Sequence, residues 1–223
     1  MWRVVEHQHT ASTRKLVETQ AEQAMLETIL EQSKPPYPPG TDGLHYLLKT
    51  PFRYKNPHGS RFRKPNDHHG VFYASDQVRT ALAETAYYRL RFFSDAPDME
   101  LPRQEHKLTA FSVMYQSRKE IDLTETPFKR DQRLWTSRTD YSACQQLAEL
   151  AIENGIESIR YASVRDIKHC INVALLNPFL FKSKKPIIEQ TWYMNISNLE
   201  VYAARSGAKE KEEKFIFKCS ELL

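Results

Sequence analysis

The chain has 223 residues, 40% of them hydrophobic, which suits one globular domain with a sizeable core. Its net charge of +4 is too small for the concentrated basic face of a dedicated nucleic-acid-binding protein. No apolar run reaches the roughly 18 residues of a membrane-spanning helix, and the N-terminus lacks an apolar signal-peptide core. We therefore predict a cytoplasmic protein that contacts neither membrane nor nucleic acid directly.

The first 40 residues are predicted to form a helical elaboration that packs on the main body. Ser12 and Thr13 are suitable N-caps for a helix that runs to about Gln32. Apolar residues recur along this helix at i, i+4 spacing, and such a stripe needs a surface to cover it. They are Val17, Ala21, Met25 and Ile29, beside Leu26 and Leu30. The prolines of KPPYPPG (34–40) then end the helix and give a stiff connector.

The catalytic core is predicted to span residues 44–205 of a single domain that covers residues 1–223. Short apolar runs predict strands at 71–74, 108–115, 121–124, 157–163, 187–196 and 199–204, and the run 171–179 is also apolar. Helices are predicted at 77–93, capped by Ser75 or Asp76, and at 141–153, ending at Asn154-Gly155. The charged run KEKEEK (209–214) predicts a solvated turn or linker. Because strands and helices do not alternate regularly, the pattern indicates an α+β fold with a mixed or antiparallel sheet.

Metal and disulfide chemistry find little support in the sequence. The three cysteines are far apart and odd in number, so they fit neither a disulfide framework nor a zinc-binding pair. Three histidines occur close together, without a carboxylate or cysteine at ligand spacing. They are His58, His68 and His69. No metal site is predicted.

Three residues between positions 59 and 84 are candidates for a functional site. Arg61 follows Gly59-Ser60, where a flexible backbone would present the guanidinium to an anion. Tyr73 lies in an apolar run that is typical of a core strand. Glu84 lies beside the apolar face of its helix, where a carboxylate either reaches water or turns into a pocket. Each residue also has an ordinary structural interpretation when it is considered alone.

Together these residues resemble the RES domain family, which is named for Arg, Glu and Ser residues. The matching stretch is GSRFRKPNDHHGVFYASDQVRTALAE (59–84), and it supplies Arg61, Tyr73 and Glu84. The family's serine corresponds to Ser163 in IRYASVRDIKHCINVALLNP (159–178). The resemblance extends over most of residues 44–181. Arg63 is an alternative to Arg61, which is preferred because it directly follows the Gly-Ser turn.

The resemblance implies a compact fold related to ADP-ribosyltransferases and a toxin that uses NAD+ as its substrate, with no further cofactor. It implies Glu84, Arg61, Tyr73 and Ser163 as catalytic residues. The last three are also expected to bind NAD+, together with Arg165, which shares a face with Ser163 on an extended segment. A helix after Ser163, capped by Ser163 or Asp166, would aim its N–H groups at an anion.

The same resemblance implies an Xre-type antitoxin that blocks the active site, so a homodimer or a hetero-oligomer with antitoxin is expected. The residue types suit cleavage of the nicotinamide–ribose bond, because nicotinamide is a cationic leaving group that needs no acid to protonate it. One carboxylate near the developing positive charge then suffices. Hydrolysis or phosphorolysis is the preferred interpretation. The alternatives are protein ADP-ribosylation and an inactive module that binds a nucleotide or a protein.

Overall fold

One nine-stranded sheet organises the computed structural model, which describes residues 1–7, 16–96, 100–102, 104–207 and 213–223. The strands are β1 (Trp2–Glu6), β2 (Phe72–Ser75), β3 (His106–Ser112), β4 (Glu120–Asp122), β5 (Ser158–Ala162), β6 (Ile171–Leu175), β7 (Ile188–Ile196), β8 (Glu200–Arg205) and β9 (Lys214–Lys218). Their order across the sheet is β4-β5-β6-β2-β1-β3-β7-β8-β9. β4 and β5 are parallel, and the other neighbouring pairs are antiparallel. The predicted α+β class with a mixed sheet is therefore confirmed.

Two long helices cover parts of this sheet and form much of the core. The α-helices of the described residues are α1 (Gln20–Ser33), α2 (Tyr46–Lys49), α3 (Val78–Ser94), α4 (Gln132–Trp135), α5 (Ser142–Glu153) and α6 (Cys219–Leu222). Leu82 of α3 packs in one buried cluster with Trp192 and Met194 of β7. Cys144 of α5 packs in a second cluster with Ile159 of β5. No described helix has the length and apolar character that crossing a membrane requires.

The N-terminal segment departs most from the sequence prediction. Residues 2–6 form β1, a central strand that pairs with β3 on one side and with β2 on the other. The prediction that residues 1–40 form a helical elaboration is therefore wrong for this stretch. The stretch is only five residues long, and its partners on β3 lie more than a hundred positions away, so local periodicity carries little information about it.

The predicted N-terminal helix also begins later than expected. Its predicted caps, Ser12 and Thr13, lie outside the described residues. α1 begins at Gln20, and Thr19 is its N-cap, in a capping box with Glu22. The side-chain oxygen of Thr19 accepts from Glu22 N at 3.1 Å, and the Glu22 carboxylate accepts from Thr19 N at 3.1 Å. This local signature fixes the start of the helix.

The apolar stripe of α1 does not face the body, contrary to prediction. Met25 and Ile29 are 67% and 55% exposed, whereas the polar Gln23 is buried. The end of the helix is tied to the body by Arg53, whose Nη1 donates to Glu31 Oε1 at 2.6 Å. A polar contact therefore anchors α1 in place of the predicted apolar packing.

The remaining predicted elements of the core occur close to their expected positions. The predicted strands correspond to β2, β3, β4, β5, β7 and β8, and the predicted helices to α3 and α5. The apolar run 171–179 is a strand only as far as Leu175 and continues into a 3₁₀ helix at Pro178–Leu180. Gln77, and neither Ser75 nor Asp76, is the N-cap of α3, and its side chain makes no capping bond.

The C-terminal segment adds elements that the sequence reading did not predict. Residues 209–212 of the charged run lie outside the described residues, and Lys214 already begins β9. Phe217 of β9 and Leu222 of α6 are buried in the same cluster as α3. The predicted end of the core at residue 205 is thus too early, because the last strand and helix complete its packing.

Gly70 provides a test of the packing directly before β2. A Cβ atom added to Gly70 would lie 2.2 Å from Phe52 Cα and 2.8 Å from Pro51 O. Both atoms belong to the backbone, so relief of the clash requires a shift of the chain. We expect Gly70→Ala to lower the free energy of unfolding by roughly 2–4 kcal/mol, measured by urea denaturation.

Gly207→Ala is the matched control for this substitution. Gly207 has a φ of +78°, and apart from its chain neighbours no atom of the described residues lies within 4 Å of its added Cβ. Its replacement should cost about 1 kcal/mol from backbone strain alone. Similar small losses in both variants would show that the chain around Phe52 yields easily to an added methyl group.

Candidate active site

A pocket of about 550 Å³ opens between α3, β1, β2 and the loop of residues 54–63. This volume lies in the range of small-molecule and cofactor sites. Arg61 and Arg63 line it from the loop, Tyr73 from β2 and Glu84 from α3. The fold therefore gathers the arginine, tyrosine and glutamate of the sequence motif around one cavity.

Glu84 is held in this pocket by two neutral hydrogen-bond donors. Its Oε1 atom accepts from Ser163 Oγ and from Asn172 Nδ2, both at 2.7 Å. Asn172 is oriented in turn by Ser75, whose hydroxyl donates to Asn172 Oδ1 at 2.6 Å. Within the described part of the chain, no cationic side chain forms an ion pair with Glu84. The carboxylate is thus oriented without being neutralised by a cation.

Ser163 lies behind Glu84 and does not line the pocket. It is fully buried, and its Oγ accepts the backbone N–H groups of Arg165 at 3.2 Å and Asp166 at 3.1 Å while donating to Glu84. Asp166 in turn accepts from Thr80 Oγ1 of α3 at 2.8 Å. The prediction that Ser163 binds the substrate is therefore corrected, because this serine positions the carboxylate.

Arg165 does not reach the pocket, contrary to prediction. Its guanidinium donates to Leu222 O at 2.9 Å and to Arg138 O at 2.5 Å, and lies 3.5 Å from the centroid of the Tyr87 ring. The chain turns directly after Ser163, so the alternation of an extended segment does not continue to Arg165. The predicted helix after Ser163 is also wrong, because residues 164–168 form bends and a turn.

Arg61 is buried with one edge of its guanidinium unbonded. Its Nη1 donates to Trp135 O at 2.8 Å, and its guanidinium carbon lies 4.6 Å from the centroid of the Tyr141 ring. Its Nε and Nη2 atoms make no hydrogen bond to the described residues. This edge has the planar geometry that binds phosphate or carboxylate with two parallel hydrogen bonds.

Arg63, the alternative arginine, makes more hydrogen bonds to main-chain carbonyls of the described residues than Arg61 does. Its Nη2 atom donates to the carbonyls of Tyr54 at 2.7 Å and Asp67 at 2.8 Å. Burial lowers the pKa of Arg63, and nearby Asp67 and Tyr73 partly oppose this effect. Both arginines line the pocket, so the choice of Arg61 over Arg63 stays a prediction.

Tyr73 and Gln145 fix the loop on both sides of Arg61. The Tyr73 hydroxyl accepts from Phe62 N at 3.0 Å and lies 2.8 Å from Ser60 Oγ. Gln145 of α5 donates through Nε2 to Ser60 O at 3.0 Å and to Arg63 O at 3.2 Å. Tyr73 therefore positions the arginine loop as well as lining the pocket.

Sequence reasoning missed Arg3 and Asn172, which also line the pocket. Arg3 comes from β1, its Nη1 donates to Tyr73 O at 2.7 Å, and burial lowers its pKa to about 10. Each residue is a polar side chain within a short apolar run, WRVVE and INVALL. A polar residue inside an apolar strand is the signal that would have identified both, since a buried polar group needs a specific partner.

Among the described residues, no group of three or more His, Cys, Asp and Glu side chains is placed so that it could hold a metal ion. Of the three histidines between positions 58 and 69, His69 contacts Asp67, with Nδ1 3.2 Å from Oδ1. The cysteines are free thiols, and Cys144 lies 4.0 Å from Nη1 of Arg61. The chemistry of the pocket therefore lies in its carboxylate, amide, hydroxyl and guanidinium groups.

Fold and pocket together define an α+β protein with one half-buried carboxylate facing basic side chains in a nucleotide-sized cavity. The family model described as RES domain matches residues 37–196. The chain belongs to the RES domain family, which is part of the ADP-ribosyltransferase-like superfamily. A comparison with curated proteins finds no match. β1 and Arg3 lie outside the matched range, although they complete the pocket.

The role of Tyr73 in holding the loop predicts a specific alkaline behaviour. Burial raises the pKa of Tyr73 from 10.0 to about 12. Between these pH values the folded protein keeps the phenolic proton that the unfolded chain loses, so stability falls as the pH rises from about 10 to about 12. Tyr73→Phe removes this contribution, and its free energy of unfolding should fall less steeply over that interval.

The measurement is urea denaturation of both proteins at pH 8 and pH 11. At pH 8 the variant should be less stable, because the contacts to Ser60 and Phe62 are lost. Tyr46→Phe is the control, since Tyr46 is 43% exposed and lies outside the pocket. Parallel profiles for wild type and Tyr73→Phe would contradict the assignment.

Proposed function

We propose that this protein consumes NAD+ by cleaving the nicotinamide–ribose bond, and that it acts as the toxin of a toxin–antitoxin pair. The observation that carries the proposal is the environment of Glu84. Its carboxylate lines the pocket, is oriented by Ser163 and Asn172, and has no cationic partner among the described residues. A negative charge in this setting stabilises a positive charge that develops in the pocket.

Cleavage of the nicotinamide–ribose bond develops such a charge. As the bond between ribose C1′ and the nicotinamide nitrogen breaks, its electron pair moves to the nicotinamide, which leaves as a neutral molecule. The ribose becomes oxocarbenium-like, and Glu84 faces this positive charge. Attack of water at C1′ gives ADP-ribose and releases one proton, whereas attack of phosphate gives ADP-ribose 1″-phosphate. No group is needed to protonate the leaving base.

The basic side of the pocket suits the other end of the substrate. Arg61 offers its unbonded Nε–Nη2 edge to the pyrophosphate, a pairing for which the guanidinium fork is well shaped. Arg3 adds a second guanidinium from β1. In this proposal Tyr73 and Ser163 contribute by holding the arginine loop and the carboxylate.

Hydrolysis or phosphorolysis is the activity that we favour, and protein ADP-ribosylation is the alternative within the same chemistry. An inactive nucleotide- or protein-binding module is the alternative from a different class. The hydrogen bonds from Ser163 and Asn172 favour an active site, because a site that only binds anions has no need of an oriented carboxylate. Release of nicotinamide from NAD+ distinguishes the enzyme from the module.

We expect this cleavage to depend on Glu84. With purified protein and NAD+, Glu84→Gln should lower the rate of nicotinamide release by about 10²-fold or more, as for loss of one electrostatic stabiliser. Affinity for ADP-ribose should change much less, because this product carries no cationic ring. Glu153→Gln, an exposed change at the end of α5, is the control. An unchanged NAD+ concentration at high protein concentration would contradict the proposal. Wild-type turnover in Glu84→Gln would show that Glu84 has no part in the mechanism.

An enzyme of this kind needs an inhibitor in the cell that makes it, because NAD+ serves all of metabolism. We propose that an Xre-type antitoxin blocks the pocket in a hetero-oligomer, with a homodimer as the alternative assembly, and that the protein acts in the cytoplasm. A carboxylate-bearing peptide end would fit the free edge of Arg61. The mild positive charge of +4 favours an acidic partner, with modest steering.

Expression of this protein alone should arrest growth and deplete cellular NAD+, since free enzyme would consume the shared pool. Growth rate and NAD+ content are measured after induction of wild type and of Glu84→Gln. The variant should accumulate to a similar level without arrest. Normal growth with abundant soluble wild-type protein would argue against the toxin assignment.

A further inference from the structure

We infer that the pocket accepts a dinucleotide with a third phosphate, of the NADP+ type, and binds it more tightly than NAD+. This inference rests on the proposed function and concerns the substrate class of the same site. Its basis is the charge of the pocket lining, which includes four cationic side chains and one carboxylate. They are Arg3, Lys55, Arg61, Arg63 and Glu84. The lining therefore has an excess of positive charge, and NAD+ offers it only the two negative charges of its pyrophosphate.

The positive charges of this lining are not balanced by acidic side chains of the residues that the structure describes. Within the described residues, none of the four cations forms an ion pair. The hydrogen bonds of the arginine side chains to oxygen go to main-chain carbonyls. Arg61 and Arg63 are only 8% and 7% exposed. Neutral carbonyls satisfy N–H donors but leave the net charge, and unbalanced buried charge is costly unless an anion neutralises it.

The acid that follows the arginines on the same loop does not pair with either of them. Asp67 directs its Oδ1 atom to His69, accepting from the backbone N–H at 3.1 Å. Its contact with Arg63 runs through its main-chain carbonyl. Asp67 therefore lowers the local potential without supplying an ion-pair partner, and the excess of positive charge faces the pocket.

The loop that carries three of the cations is internally braced. Asn56 Nδ2 donates to Gly59 O at 2.7 Å, and Asn56 O accepts from Asn66 N at 2.8 Å. Ser60 N donates to Arg63 O at 2.8 Å, which closes the turn around Arg61. A loop held in this way presents its charges in fixed positions, which lowers the entropy cost of binding an anion.

Lys55 is the cation best placed for the third phosphate. It is exposed on this loop, whereas Arg61 and Arg63 are buried deeper in the lining. In the proposed binding mode, with the nicotinamide end at Glu84 and the pyrophosphate at Arg61, the adenosine ribose would lie toward the exposed part of the lining, where Lys55 is found. A phosphate on the 2′-oxygen of that ribose would then meet the ammonium group of Lys55.

The test compares binding of 2′,5′-ADP (adenosine 2′,5′-bisphosphate) and 5′-AMP by calorimetry at one fixed ionic strength. The two fragments differ only in the 2′-phosphate, and neither contains a nicotinamide–ribose bond. We expect 2′,5′-ADP to bind at least about tenfold more tightly, as for one charge-assisted contact. In Lys55→Gln this ratio should fall below about threefold. Lys64→Gln should keep it, since Lys64 pairs with Glu149 outside the pocket lining.

Equal affinities of the two fragments in wild type, or a ratio that Lys55→Gln leaves unchanged, would overturn the inference. Absence of binding by either fragment at millimolar concentration would also overturn it. The result is independent of cleavage, because the fragments are not substrates. Tight 2′,5′-ADP binding without nicotinamide release from NAD+ or NADP+ would contradict the proposed function alone.

Discussion

The site depends above all on the orientation of one carboxylate by neutral donors. Glu84 Oε1 receives hydrogen bonds from Ser163, in the loop after β5, and from Asn172, on β6. These two bonds connect α3 to the sheet beneath it at the point where the pocket opens. Because serine and asparagine orient the carboxylate without adding positive charge, its field is available to whatever enters the pocket.

On the arginine side of the pocket, hydrogen bonds from neighbouring elements likewise hold the functional side chain in place. Arg61 belongs to a loop without regular secondary structure, yet Tyr73 of β2 and Gln145 of α5 hold the residues on either side of it. Rigid elements thereby fix a loop residue, which is the arrangement expected where function requires precise geometry. Two of the motif residues, Tyr73 and Ser163, are therefore connected by hydrogen bonds to the loop that carries Arg61 and to the Glu84 carboxylate.

The features that could be predicted from the sequence are those determined by residues close together in the chain. Glu84 lies at helical spacing within a long periodic segment, and Tyr73 lies in an apolar run, so both were assigned to the correct elements. β1 and Asn172 were missed because their roles arise from partners distant in the chain: β3 for the strand, and Glu84 for the amide. The stripe of α1 was misinterpreted because periodicity identifies an apolar face without showing whether anything covers it.

The charges of the pocket come from elements that are distant from one another in the sequence. A negative charge stands on α3, while positive charges stand on the loop of residues 54–63 and on β1. Such a separation favours a ligand that is cationic at one end and anionic elsewhere, and it disfavours the same ligand in the reverse orientation. A nicotinamide dinucleotide has this distribution of charge. In the proposed function, its oxidised ring would lie toward the carboxylate and its phosphates toward the guanidinium groups, and the nicotinamide–ribose bond would then lie beside Glu84.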